Sequence, residues 1–455
     1  MNTLISVAIL GILTMFAGIF NKKQWVLPVF QAGLLISILI TAWTLRTDAY
    51  YYNNMMHVTT ASNAFTLLLL LITMAIGAIS AYYYRDVKKP LEDEHAVLLF
   101  SLAGALVMLS YNHLIMLFLG IEILSVSLYV LAGSKKTSFF SNEAAMKYFL
   151  MGSFSTGFFL FGMALVYGAS ATLYLPQLHD FLAGAGHLTP MMKAGFVLMM
   201  VGLGFKVGSA PFHFWVPDVY HGSPTIITTY MATVSKIASF YALYNLLSAF
   251  APVAGFWAPL LAIMAAVTII LGNVTAVYQQ RVKRMLAYSG IAHTGYMLMM
   301  LVVISPSTPS TLLYYSAAYA VATIAAFAIL IPVRENSGSG SFDAFNGLTS
   351  NNKLFAFVIA LSMLSLTGIP PLAGFFGKYF VFLDVIEKGY TWLVLIAILG
   401  SMVSIYYYFR LLQAAFLKPG TLPAIKTSAI YRIMLALLGV LILSFIFFNH
   451  LMPLN

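Results

Sequence analysis

The sequence predicts an all-α polytopic membrane protein with about fourteen transmembrane helices. Three observations carry that expectation. Of 455 residues, 61% are apolar and 8% charged, far from the balance of a soluble domain. Apolar runs of about 18–25 residues recur from end to end, each long enough for a ~30 Å hydrocarbon core. The runs are continuous rather than alternating, which makes strands unlikely.

In order, the runs lie near 3–20, 25–43, 63–84, 95–110, 112–132, 147–172, 189–216, 223–249, 252–278, 284–304, 308–333, 354–386, 391–417 and 429–450. No basic residue precedes the first run, and Lys22 and Lys23 follow it. A cleaved signal peptide has the reverse arrangement, so this run reads as a retained helix. No linker separates the chain into independent parts. The longest polar stretches are 85–95, 334–353 and 418–428, and the NSGSGS string at 336–341 is a short flexible loop.

The net charge of +10 is a topology signal rather than a nucleic-acid footprint. Connections after odd-numbered spans hold Lys22, Lys23, Arg85, Lys88, Lys89, Lys135, Lys136, Arg281, Lys283, Arg284, Arg334, Lys353, Arg410, Lys418, Lys426 and Arg432. These are sixteen of the 23 basic residues; the opposite side holds Arg46, Lys193 and Lys388. The excess of Lys and Arg places the sixteen in the cytoplasm and both termini outside, in a cell inner (cytoplasmic) membrane.

There is no cysteine. That excludes disulfides, thiolate metal sites, iron–sulfur clusters and covalent haem on this chain, so redox chemistry belongs to a partner. His213 and His221 flank the Pro217-Asp218 turn without metal-ligand spacing, and no phosphate loop or nucleophile arrangement appears. No cofactor or metal site is therefore expected here.

Four lysines remain within or just inside the spans: Lys147, Lys206, Lys236 and Lys378. Glu122 is the one carboxylate at mid-span. Each charge at a bilayer centre costs about 2.5–3.5 kcal/mol, so five cost on the order of 10 kcal/mol and need partners, water or a neutral state. Burial disfavours an ammonium and a nearby carboxylate favours it, so a Lys–Glu contact that forms and breaks is a proton switch. Glu122, Ser125 and Tyr129 share one helical face; the alternative for Glu122 is a carboxylate that only pins helices together. Lys206 precedes Pro211, which frees backbone carbonyls in mid-membrane, tolerated only beside protein or water. Lys236 shares a face with Thr229 and Thr233, and His293 with Ser289 and Tyr296. His293 suits a relay because histidine titrates near neutrality, although a hydrogen-bonded core histidine fits the same spacing. Lys378 follows Pro370 and Pro371. Lys147, also a candidate for the proton relay, begins the sixth span, where snorkelling to the interface is the competing reading. The strings Gly202–Lys206 and Gly374–Lys378 both read G-x-x-x-K beside prolines, which fits duplicated halves with a discontinuous helix in each.

These residues sit in longer strings. GFKVGSAPFHFWVPD at 204–218, KRMLAYS at 283–289 and GIPPLAGFFGK at 368–378 resemble signatures of the antiporter-like membrane subunits of respiratory complex I. The likeness covers about the fourth to thirteenth spans. EAAMKYF at 143–149 and GIAHTGY at 290–296 are similar to motifs of the N-type subunit; an M-type chain would carry glutamate at Lys378, and an L-type chain would be longer. The first three spans carry little signature.

The resemblance implies two inverted five-helix bundles with broken helices 7 and 12. The chain then divides into an N-terminal three-helix segment at 1–94, bundles at 95–250 and 251–417, and a C-terminal helix at 418–455. It also implies a proton route through Glu122, Lys206, Lys236, His293 and Lys378. In that route Glu122 and Lys206 form a switchable pair, and NADH:quinone oxidoreduction in partner subunits supplies the energy. Expected partners are other membrane-arm subunits, including adjacent antiporter-like and small membrane subunits, and lipids, with no nucleic acid. The main alternative is a subunit of a multi-chain Na⁺/H⁺ antiporter or membrane-bound hydrogenase; a lone solute transporter and a structural anchor are weaker rivals.

Overall fold

The computed structural model describes residues 1–20, 23–85, 91–184, 188–420 and 422–444. Lys22, Lys88 and Lys89 and the end of the last apolar run lie outside the described residues. Among the described residues eleven helices are long and apolar enough to cross a membrane, and two shorter apolar helices, Lys353–Thr367 and Ala429–Ser444, accompany them.

The first helices are α1 (Asn2–Ile19), α2 (Lys23–Trp43), α3 (Thr60–Tyr83), α4 (Leu91–Ser110) and α5 (Leu114–Ala132). Small hydroxyls join α1 to α2, with Thr3 and Thr41 2.9 Å apart and Ser6 and Ser37 2.8 Å apart. Such groups are a practical glue where lipid offers no hydrogen bonds. A reciprocal Thr59–Ser62 box caps α3. The loop between α2 and α3 holds a hairpin, β1 (Ala49–Tyr51) against β2 (Met56–Val58). The hairpin lies between two apolar runs, neither of which is a strand among the described residues, and in it Tyr50 stacks on His57 at 4.0 Å.

Next come α6 (Phe139–Ser170), α7 (Leu175–Gly184), α8 (Pro190–Val207) and α9 (Trp215–Gly222). Ser138 caps α6 well before the apolar run that marks it, so Lys147 lies two turns inside the helix rather than at its start. The short helix α7 buries Leu175, Leu178 and Leu182 on one face and is too short for the span-length criterion. After α10 (Thr225–Tyr230), a π turn at Met231–Ser235 leads without interruption into α11 (Lys236–Ala249).

The remaining helices are α12 (Ala254–Val277), α13 (Val282–Val302), α14 (Thr308–Ser337), the single turn α15 (Leu348–Asn351), α16 (Lys353–Thr367), α17 (Ala373–Glu387), α18 (Thr391–Phe416) and α19 (Ala429–Ser444). Burial locates the centre. In α13 and α14, 94% of the spanning window is buried, against 28% in α1 and α2. An apolar helix buried all round is a core helix even in lipid, so α13 and α14 form the axis around which the others pack.

Candidate functional site

The site begins at two interruptions. In the first, α8 ends at Gly208 with φ +72° and the chain crosses Pro211 before α9 starts. The carbonyls freed there are taken up by neighbours: Trp215 Nε1 donates to Phe205 O at 2.9 Å, and Thr294 Oγ1 of α13 donates to Val207 O at 2.9 Å. Lys206, 5% exposed, lies in the last turn of α8, where the negative end of the helix dipole favours a cation. Its Nζ donates to Ser125 Oγ at 2.6 Å and to Tyr129 OH at 3.3 Å, and stands 5.5 Å from the Tyr129 ring. Ser125 in turn donates to the Ile121 carbonyl.

Glu122 is placed differently from expectation. Among the described residues no ion pair joins it to Lys206, and its Oε1 is buried without a hydrogen-bond partner. Ser125 and Tyr129, further along α5, occupy the ammonium instead.

In the second interruption α16 ends at Gly368, φ +89°, and α17 starts at Ala373 after Pro370 and Pro371. The two segments touch closely: a Cβ on Gly374 would meet Ser365 O at 1.8 Å. Lys378 reaches back from α17 to the open end of α16. Its Nζ donates to Thr367 O at 2.8 Å, Leu366 O at 3.3 Å and Ser401 Oγ at 3.1 Å. Ser401 donates to Tyr296 OH at 3.1 Å, and the ammonium stands 4.7 Å from that ring. Lys206 thus precedes its break while Lys378 follows its own, so the two G-x-x-x-K strings are not equivalent positions.

Lys236 starts α11 directly after the π turn. Its Nζ donates to Gly290 O at 2.6 Å and stands 5.6 Å from the Tyr319 ring. Thr229 and Thr233 bond back to Thr225 O and Thr229 O at 2.9 and 2.7 Å; their hydroxyls serve their own helix. His293 Nδ1 is hydrogen-bonded to Tyr315 OH at 2.8 Å, and its Nε2 faces Tyr408 OH at 3.5 Å. Tyr408 is bonded to Ser289. A cavity of about 10 Å³ beside His293, Tyr315 and Tyr319 has room for about one water.

Helix α13 therefore meets Lys236, carries His293, stands beside Lys378 through Tyr296, and ties the α8 break next to Lys206. Gly290 accepts from Lys236, His293 faces two tyrosines, Thr294 ties the α8 break, and Tyr296 leads to Lys378. Lys147 is set apart. Its side chain is 40% exposed and pairs with Glu143 and Asp218 at 2.8 Å each, and Arg284 meets the other Asp218 oxygen at 2.9 Å. The α6 helix, starting early, carries Lys147 to the face of α9 rather than to the centre.

Sequence reasoning missed Lys283, taken as a loop charge. It is 4% exposed and donates from Nζ to Ser223 O at 2.5 Å, at the end of α9. Flanking Arg281 and Arg284 disguised it. Tyr315, Tyr319, Tyr408 and Ser401 were also missed. Tyr315 and Tyr319, one turn apart on α14, were the available signal.

Buried lysines held on carbonyls and hydroxyls at helix breaks, with a histidine between tyrosines, define a membrane protein of the antiporter-like class. The family described as NADH:quinone oxidoreductase/Mrp antiporter, TM, matches residues 111–404. NADH-quinone oxidoreductase subunit N of Flavobacterium johnsoniae is 39% identical, and that of Cytophaga hutchinsonii 40%, each over 96% of both chains. A chain of respiratory complex I from Thermus thermophilus with bound Aureothin superposes with a TM-score of 0.84 at 32% identity, over 99% of this chain and 98% of that one. A chain of the Mrp complex from Dietzia sp. shares the fold, with a TM-score of 0.88 at 17% identity over 99% and 94% of the two chains. The chain belongs to the NADH-quinone oxidoreductase subunit N family.

Proposed function

We propose that the chain is a proton-translocating subunit in the membrane arm of an NADH:quinone oxidoreductase. It lies among other membrane-arm subunits, and redox chemistry in partners supplies the energy. One observation carries this reading beyond family membership. Lys206, Lys236 and Lys378 are buried on neutral oxygens, without a carboxylate in contact among the described residues. An ammonium held this way bears the desolvation cost without a counter-ion, so a modest change in its surroundings decides whether it keeps its proton.

In this reading Lys206, Lys236, His293 and Lys378 are the proton-carrying groups, and Glu122 biases Lys206 through space. Lys147 belongs to the ion-paired face with Asp218 and Arg284 and steadies α6 against α9. Residues 95–250 and 251–417 act as two inverted bundles, flanked by the three-helix segment at 1–94 and the helix at 418–455. The chain carries no redox centre or cofactor of its own. The Lys/Arg-rich side faces the cytoplasm, with both termini outside, in the cell's inner membrane.

Mild extraction of the tagged chain from its native membrane tests the assignment. Recovery of flavin- and iron–sulfur-bearing partners with NADH:quinone activity supports it. Recovery of small hydrophobic partners alone, with cation-dependent proton exchange in vesicles, would replace it with the antiporter reading.

A further inference from the structure

Away from the lysines, a second set of buried polar groups lies where α3 and α4 meet α10. Tyr84, at the end of α3, donates its hydroxyl to Glu94 of α4. Beside it the His95 ring, 5% exposed, is hydrogen-bonded to Ser80 Oγ at 3.0 Å. Tyr84 and Glu94 line two cavities at once. One is an open cavity of about 500 Å³ that takes in Arg85, Lys135 and Glu335, on the Lys/Arg-rich side. The other is an inner void of about 10 Å³ walled by Ser80, His95, Leu98, Ile226 and Ile227, the size of about one water. The Tyr84–Glu94 pair is therefore the partition between the open cavity and buried His95.

Further inward, α4 packs along the π turn and α11, the helix that Lys236 begins. Ser101 follows Glu94 by two helical turns on the same face of α4. Its hydroxyl is buried, as is that of Tyr230, the residue before the π turn, and among the described residues neither reaches full hydrogen-bonding geometry. Ser101 is the side chain placed to bond Tyr230, yet the two stand short of bonding geometry. The two hydroxyls face each other as a donor–acceptor pair buried between α4 and the π turn. Tyr230 and Lys236 are about 9 Å apart along the helix axis. Lys236 itself holds a single acceptor, Gly290 O.

We propose that Tyr84, Glu94 and His95 form a proton-uptake site on the Lys/Arg-rich side that loads Lys236 through Ser101 and Tyr230. The proposal rests on the proton-translocating role above. A hydronium in the open cavity gives its proton to the Glu94 carboxylate. The proton passes to one ring nitrogen of His95 while the other nitrogen releases its own. Water carries it past Leu98 to Ser101 and Tyr230, each hydroxyl accepting one proton and giving one up, and further water, accepting and releasing a proton in turn, carries it over the remaining distance to the neutral amine of Lys236. Only O–H and N–H bonds form and break.

The test uses the intact complex in inverted membrane vesicles, with protons moved per NADH and coupled turnover as readouts. Glu94→Gln keeps the side-chain shape and removes the titrating group. Tyr230→Phe removes the hydroxyl that faces Ser101 and keeps the ring, and protons moved per NADH at equal content of assembled complex separate a lost relay from a lost contact. Both lower protons moved per NADH and slow coupled turnover about tenfold or more, while Glu94→Asp retains most of the activity. Wild-type pumping in Glu94→Gln or in Tyr230→Phe overturns the proposal. Lys236→Ala, measured beside them, separates the two levels. If it pumps normally, the translocating role fails and the uptake site with it. If it is impaired while Glu94→Gln and Tyr230→Phe are not, the uptake route alone fails.

Discussion

At the residue scale, the lysines are held by acceptors that carry no formal charge. Lys378 sits on the last carbonyls of α16, Lys236 on Gly290 O and Lys206 on two hydroxyls. Each contact favours the ammonium without locking it, unlike a carboxylate at bonding distance. Lys206→Ala is expected to abolish most proton movement while the complex still assembles, measured as pumping and as subunit content of the same preparation. Lys147→Ala is expected to pump closer to wild type than Lys206→Ala, because its partly exposed ion pairs contribute about 0–1 kcal/mol. Tyr315→Phe removes the partner of His293 Nδ1 and is expected to slow coupled turnover with little change in thermal midpoint. Lys206, Lys236 and Lys378 stood out in the sequence because a charge deep inside an apolar run is costly, whereas His293 also fitted a hydrogen-bonded core residue. Their partners did not stand out. A backbone carbonyl such as Gly290 O or Thr367 O leaves no trace in residue identity, so the sequence pointed to Glu122 as the natural counter-ion of Lys206, and Ser125 and Tyr129 took that place. Lys283 was hidden by the opposite error, a buried lysine between two arginines that resemble a loop.

At the element scale, the buried lysines gather where helices are interrupted. Gly208 and Gly368 end α8 and α16 in the left-handed region, and a π turn precedes Lys236. Such turns leave carbonyls outside the regular ladder, and these carbonyls meet Thr294, Trp215 and Lys378. Gly374→Ala would drive a Cβ into Ser365 O, separating α17 from α16 and drawing Lys378 off its carbonyls. A loss of about 1–3 kcal/mol follows from overpacking of this kind, read as a lower thermal midpoint, together with impaired pumping. Proline marked both interruptions in the sequence. The π turn has no such marker, since Met231–Ser235 is apolar and helical in composition. The hairpin at 49–58 and the short helix α7 were also illegible, because span-length windows average over elements of three to ten residues.

At the scale of the whole molecule, α13 connects the interruptions. It accepts from Lys236, ties the α8 break and reaches Lys378 through Tyr296 and Ser401, so the two halves of the chain meet on one buried helix. A proton displaced at one lysine changes the field at the next through a medium of low polarity, where charge acts over long range. The two relatives are similar in sequence over nearly their whole length and the Thermus thermophilus complex I chain shares the fold, which agrees with a chain that works inside a larger membrane assembly. The most direct measurement is proton translocation by inverted vesicles driven by NADH, comparing wild type with Lys236→Ala at equal content of assembled complex. The account expects protons moved per NADH to fall sharply in the variant; an unchanged ratio would contradict a route through the buried lysines.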